Sequence, residues 1–343
     1  LFLVRTVGNE VYDQTTIEPY DPDNYRVSGN IDYYINKHHS IGIGGSFNGR
    51  NSKRIVTNET IISNDLSSNK LFSENSFDRG RNNFNFNPYY EYKTDTDKLI
   101  IDFNFVDFKD NTTNTLYGLE NSTIPFTDRR YIQDGNYSIK TYRADYSKSF
   151  NDHLKLQFGT RYADVSTDND LASLLDNSGE FDLIQEESSR FLINESIFAL
   201  YSKMNVTKGK WAFSGGLRYE NSNTDGTSIF IEDEAIKTEV KKRPIKKIFP
   251  SASISRELSE SLGASLSYSY RIQRPSYNSL NSFATFLDPF SAGAGNPNLT
   301  PSYTNNFQFN LTYDKQPFFT IGYSKTDDVI FELIRQDNTT AQI

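Results

Sequence analysis

The chain has no cysteine at all among its 343 residues, and only one methionine, one tryptophan and three histidines. The first absence excludes a disulfide scaffold and any thiolate metal site. No run approaches the roughly 18 consecutive apolar residues of a membrane helix, and the mean hydropathy of −0.63 agrees. An excess of basic charge is also missing: 36 Lys and Arg face 44 Asp and Glu, a formal net charge of −8, so no nucleic-acid partner is expected. His38 and His39 are neighbours that point to different sides of any strand, and His153 stands alone. Three such histidines converge on no metal, so no cofactor or metal site is expected. There is no Gly-x-Ser-x-Gly elbow, and the chain is not read as an enzyme. The acidic clusters at 21–24, 168–170 and 232–234 match no calcium-loop spacing and read as solvated faces.

What the chain has in abundance is aromatic residues and alternation. Phe and Tyr number 26 and 22. From Tyr25 to Asn36, Tyr25, Val27, Gly29, Ile31, Tyr33 and Ile35 share one face, and Arg26, Ser28, Asn30, Asp32, Tyr34 and Asn36 the other. The pattern returns at Trp211, Phe213, Gly215, Leu217 and Tyr219, and again at Leu262, Ala264, Leu266, Tyr268, Tyr270 and Ile272. Side chains two apart on a strand share a face, so each segment is apolar on one side and polar on the other. These runs match the roughly 9–11 tilted residues that cross a bilayer better than the about 5–6 of a soluble strand.

The strands pair. Segments 25–36 and 41–50, 84–93 and 99–108, 142–150 and 154–164, 193–206 and 211–220, 248–257 and 262–273, and 303–313 and 318–326 each flank a short connector rich in turn formers. Much longer connections, such as 51–83 and 221–247, join one hairpin to the next and are read as structureless loops dense in Asn, Ser, Thr and Asp. Strict alternation of short and long links is the pattern of an outer-membrane barrel, with short periplasmic turns and long extracellular loops. A propeller would repeat a four-stranded blade instead. The expected architecture is an all-β, antiparallel transmembrane β-barrel of about twelve strands, with further strands possible at 1–7 and 329–334. A half-barrel would leave bare edges in lipid, so flanking sequence is expected to supply the remaining strands unless these close alone. The opening Leu1-Phe2-Leu3-Val4 has no charged leader region and reads as the start of a mature segment or of a piece.

From Tyr268 to Tyr313 the chain reads YSYRIQRPSYNSLNSFATFLDPFSAGAGNPNLTPSYTNNFQFNLTY. With Trp211 to Glu220 (WAFSGGLRYE) upstream, this block resembles the barrel region of TonB-dependent outer-membrane receptors of the Bacteroidetes type. Ser282 departs from the family, which usually shows proline there. The resemblance implies a 22-stranded barrel in the Gram-negative outer membrane, with the whole chain 1–343 as barrel segment. The plug domain and the TonB contact would lie outside it. It implies import of a scarce solute: an iron chelate, cobalamin, glycan or peptide. A passive porin or a surface adhesin would share the physical pattern.

Within the block, Pro275, Pro289, Pro297 and Pro301 bar regular pairing, while Gly293 and Gly295 permit tight bends. Arg271, Arg274, Tyr277, Phe283, Phe286, Asp288, Phe290 and Asn296 are the candidate ligand-entrance residues; a structural corner whose aromatics bury one another is the alternative. Lys241, Lys242, Arg243, Lys246 and Lys247 form the densest basic run, on the long-loop side. They are the candidate contacts to lipopolysaccharide phosphates, and lipid is the other expected partner.

Overall fold

In the computed structural model, described for residues 2–7, 10–64, 67–121, 124–281, 285–288 and 291–334, almost everything is strand. The first elements are β1 (Phe2–Val7), β2 (Glu10–Ile17), β3 (Tyr20–Tyr34), β4 (His39–Ser63), β5 (Ser68–Lys93) and β6 (Asp97–Glu120). Then come β7 (Ile124–Asn151), β8 (Leu154–Asn177), β9 (Glu180–Lys208), β10 (Trp211–Glu232), β11 (Ala235–Glu257) and β12 (Leu262–Gln273). A one-turn helix α1 (Tyr277–Leu280) and a small hairpin, β13 (Thr285–Asp288) with β14 (Ser291–Gly293), precede β15 (Ser302–Tyr313) and β16 (Gln316–Asp327).

One antiparallel sheet runs β1-β2-β4-β5-β6-β7-β8-β9-β10-β11-β12-β15-β16, with β3 also on β4. β2 and β3 are one strand broken at Glu18-Pro19: Ile17 faces Thr57 and Tyr20 faces Arg54 in unbroken register. The sheet does not close on itself among the described residues.

The register carries one apolar face across the sheet from β3 and β4 to β16. Ile31 faces Ile43, Ile43 faces Pro88, Leu200 faces both Thr160 and Tyr219, Tyr219 faces Ile248, and Phe309 joins Leu266 to Ile321. These side chains are open: Val27 and Ile31 are each 71% exposed and Leu217 57%. A water-soluble protein does not leave so wide an apolar sheet face uncovered. On each strand the band stops at one level, where Phe47 gives way to Asn51, Phe105 to Asp107, Tyr162 to Asp164 and Tyr219 to Asn221. Below that level the outward face suits hydrocarbon; above it the face suits water.

The long connections are the main departure from the sequence reading. Residues 51–63 pair antiparallel with 68–80, and 221–232 with 235–246, so these connections are hairpin arms and not structureless loops. β4 to β11 run 22 to 29 residues. At about 3.3 Å per residue that far exceeds the ~25 Å apolar band of an outer-membrane barrel, so their upper halves stand beyond the bilayer. The composition that suggested loops works here as a polar wall: Asn58, Thr60, Ser73, Asn75, Asn114, Thr167 and Asn169 are buried on the inner face. Two of the tips are two-residue turns with positive φ at both positions, Ser178-Gly179 and Asp233-Glu234, the geometry that fits strand twist. Residues 329–334 are not strand. In the short turns, His38 Nδ1 lies 3.0 Å from the Lys93 carbonyl and His39 Nδ1 2.7 Å from the Tyr90 hydroxyl, holding neighbouring hairpins together.

Candidate functional site: an excursion tethered to the inner wall

β12 ends where Pro275 removes a ladder donor, and the chain leaves the sheet until Ser302. Ser276 caps α1 by accepting a hydrogen bond from the Ser279 amide at 3.0 Å. The two ends of the excursion then close on each other. The Gly295 amide donates to Asn281 O at 2.8 Å and the Asn296 amide to Ser279 O at 2.7 Å. A Cβ on Gly295 would stand 2.4, 2.6 and 2.7 Å from the carbonyl oxygens of Asn281, Ser279 and Asn278, so only glycine fits there.

The closed base is held to the wall by charge. Arg274 donates from Nη2 to Glu220 Oε1 and, at 2.9 Å, to Ser222 Oγ, and its Nε lies 3.3 Å from Glu195 Oε1. Glu220 also takes two hydrogen bonds from Arg218, at 2.8 and 3.1 Å. Glu195 accepts from Thr224 Oγ1 at 2.8 Å and from the Tyr277 hydroxyl at 2.7 Å. Both carboxylates are almost wholly buried, at 4% for Glu195 and 2% for Glu220, and each is paired, as burial of a charge requires. Burial, with Glu195 beside it, pushes the Tyr277 phenol well above its ordinary range, so Tyr277 stays a donor. Leu280 packs with Phe191 and Ile193, and Tyr277 and Leu299 cover that cluster. A second tether comes from Arg243, which donates to Pro297 O and, at 3.3 Å, to Leu299 O.

The candidate entrance residues therefore divide. Arg274 and Tyr277 are anchors. Asn296 braces its own turn, its Oδ1 accepting from the Asn298 amide at 2.8 Å. Arg271 is exposed at the top of β12, opposite Thr304. Phe286 and Asp288 lie on β13, paired with Ala292 and Ser291, and β13 approaches β5 from across the inner face. Phe283 and Phe290 lie outside the described residues. Glu195, Glu220 and Arg218 escape a sequence reading because each is an ordinary polar residue on an alternating strand. The one local signal is Arg218-Tyr219-Glu220, which puts opposite charges two apart on one face.

The basic run is split by the pleat. Lys241, Arg243 and Lys247 face Gly226, Thr224 and Glu220 on the inner side, and Lys247 Nζ sits 3.3 Å from the Tyr303 ring centroid. Lys242 and Lys246 share the outward face with Ile248.

A single antiparallel sheet, apolar outside, polar within and far taller than a bilayer, defines a transmembrane β-barrel of the Gram-negative outer membrane. Residues 90–343 match the outer membrane protein beta-barrel family, and the chain belongs to that family. No curated protein matches it by sequence. Among solved structures it is similar to the ferric yersiniabactin uptake receptor FyuA of Yersinia pestis, at 11% identity and a TM-score of 0.56, over 92% of this chain and 55% of that one. It is similar too to the ferric-catecholate import receptor Fiu of E. coli K12 in its closed form, at 10% identity and a TM-score of 0.57, over 91% and 57%. The chain thus spans a little over half the length of either receptor.

Proposed function

We propose that this chain is part of the wall of a TonB-dependent receptor that binds a scarce solute outside the cell and imports it to the periplasm. The reading rests on the barrel family, on a fold shared with two receptors whose names state uptake or import, and on the Arg-Pro-x-Tyr to Asn-Pro-x-Leu block. The observation that carries it is the excursion 274–301. A chain segment folded onto the inner face by Arg274 and Arg243 stands where a solute passing down the barrel would meet it. The solute is an iron chelate, cobalamin, a glycan or a peptide, and TonB acts through parts of the receptor outside this chain.

The test uses the full-length protein in its own host. Deletion of the gene is expected to abolish growth on one such nutrient, and deletion of TonB to abolish its uptake equally. Uptake that survives loss of TonB would make the protein a passive porin. Intact uptake of every nutrient with lost cell attachment would make it an adhesin.

A further inference from the structure

On the inner face of β3 to β6, strand pairing sets two arginines directly opposite each other, Arg50 on β4 and Arg81 on β5. Like charges in that position are destabilising, and most sheets avoid them. Arg26 joins them from β3, opposite Asn48, while Asn24 faces Arg50 and Asn83 faces Asn48. Together they line an open cavity of about 380 Å³, with Phe108 at its side.

The cavity is short of negative charge. Asp110, opposite Arg81, is taken by Arg79 through both oxygens, with Nε to Oδ1 at 2.6 Å, and gives Arg81 a contact of 3.2 Å. Arg50 donates to the Tyr20 hydroxyl and lies 5.3 Å from that ring centroid, and its Nε is buried without a hydrogen-bond partner. Arg26 makes no ion pair among the described residues. Asp23, Asp78 and Asp107 are near in sequence, but alternation places them on the opposite face. The cavity sits on the inner wall at the level where the outward face turns from apolar to polar, the level of Glu220 across the sheet.

We infer that Arg26, Arg50 and Arg81 form a binding site for a solute carrying two or more carboxylate or phosphate groups. Guanidinium forks match such groups in two-point geometry, and the asparagine amides add neutral donors. A bridging oligoanion offsets the Arg50–Arg81 repulsion, and the Phe108 ring gives its carbon frame an apolar wall. This inference rests on the import reading above and names the chemical class of the solute, but binding is measured without transport, so either can fail alone.

The test is titration calorimetry of citrate and of inorganic pyrophosphate into the detergent-solubilised full-length protein at low salt. Saturable binding of at least one is expected, weakened at least tenfold in R50Q/R81Q. Binding should be unchanged in R190Q/R256Q, which removes two charges elsewhere on the barrel. A native β circular-dichroism spectrum for each variant shows that it is folded. Absence of binding to wild type, or equal loss in both double variants, overturns the site. A melting temperature that drops only in R50Q/R81Q, with no anion effect on wild type, also overturns it, because the arginines then hold an acidic segment of the protein itself.

Discussion

The Tyr277 hydroxyl donates to Glu195 Oε2 at 2.7 Å across 82 residues of chain, and Arg274, three residues earlier, lies 3.3 Å from the other oxygen of the same carboxylate. One buried glutamate thus fixes both the departure of the chain from β12 and the helix that follows. The excursion is positioned by the wall rather than by its own secondary structure, since α1 has only four residues.

Removing Arg274 would leave Glu195 and Glu220 buried with part of their positive partner gone. Breaking a buried pair from one side costs about 3–5 kcal/mol. Arg218, Thr224 and Tyr277 remain, so R274Q is expected to cost about 2–3 kcal/mol of docking energy. Limited proteolysis checks this: cleavage within 282–300 should become much faster than in wild type, while the β-sheet signal is kept.

Gly295 offers a sharper case. G295A drives a methyl group into three backbone carbonyls that cannot turn away without breaking the 2.8 and 2.7 Å hydrogen bonds that close the excursion. A loss of about 2–3 kcal/mol is expected, from overpacking and a broken hydrogen bond. G293A meets nothing within 4 Å and should be neutral. Melting temperatures of the two variants, measured side by side, decide it.

The membrane-spanning half of the fold was legible because lipid acts on every second residue, and that period is visible in Tyr25–Ile35 or Trp211–Tyr219 without any tertiary information. The upper half was not. In 51–63 polar and apolar residues fall on both faces, Lys53, Ile55, Thr57, Glu59 and Ile61 outward and Ser52, Val56, Asn58, Thr60 and Ile62 inward, because water lies outside and a polar interior within. A strand between two polar environments has no hydrophobic period to read. Ser178-Gly179 marks its turn in the sequence, whereas Asp233-Glu234 adopts the same turn without glycine or asparagine. The excursion was legible as a break in the sheet, through its prolines and glycines, but not its anchors: Glu195 and Glu220 lie 79 and 54 residues before Arg274, fixed only by pairing of strands.

The lipid-facing assignment has its own test. I43R would place a guanidinium within the outward apolar band, at a cost of about 2–4 kcal/mol near the bilayer midplane. N30R puts the same charge on the inward, water-facing side of the paired strand and should cost little. Urea unfolding of the full-length protein in lipid vesicles separates the two; equal destabilisation would mean that the outward face does not meet hydrocarbon.

Asp110 lies above the apolar band and links stability to pH. Burial alone would raise its carboxyl, but Arg79 and Arg81 outweigh that and hold it below its ordinary 3.8. A depressed folded-state value means stability that is fully present above the unfolded value and lost as pH falls through the folded one. D110N should therefore lower the melting temperature at neutral pH, and the gap to wild type should narrow once pH drops below 3.8 and close in stronger acid. A gap that stays constant down to strong acid would show that the ion pair contributes nothing.

The division of the basic run yields the last expectation. Only Lys242 and Lys246 stand on the outward face, Lys246 two residues above Ile248, where the apolar band ends, and Lys242 four residues further up. A lysine just outside the apolar band is placed to give a charge-assisted hydrogen bond to a lipid phosphate, which is the proposed contact. Lys241 and Lys247 point the other way, and Arg243 is occupied by the Pro297 and Leu299 carbonyls. K242Q/K246Q is expected to reduce the lipopolysaccharide that copurifies with the full-length protein, whereas K241Q/K247Q should leave it unchanged. The same charge is removed in each pair, so a difference reports the face and not the net charge. Equal retention in both would remove lipopolysaccharide as a partner of this run.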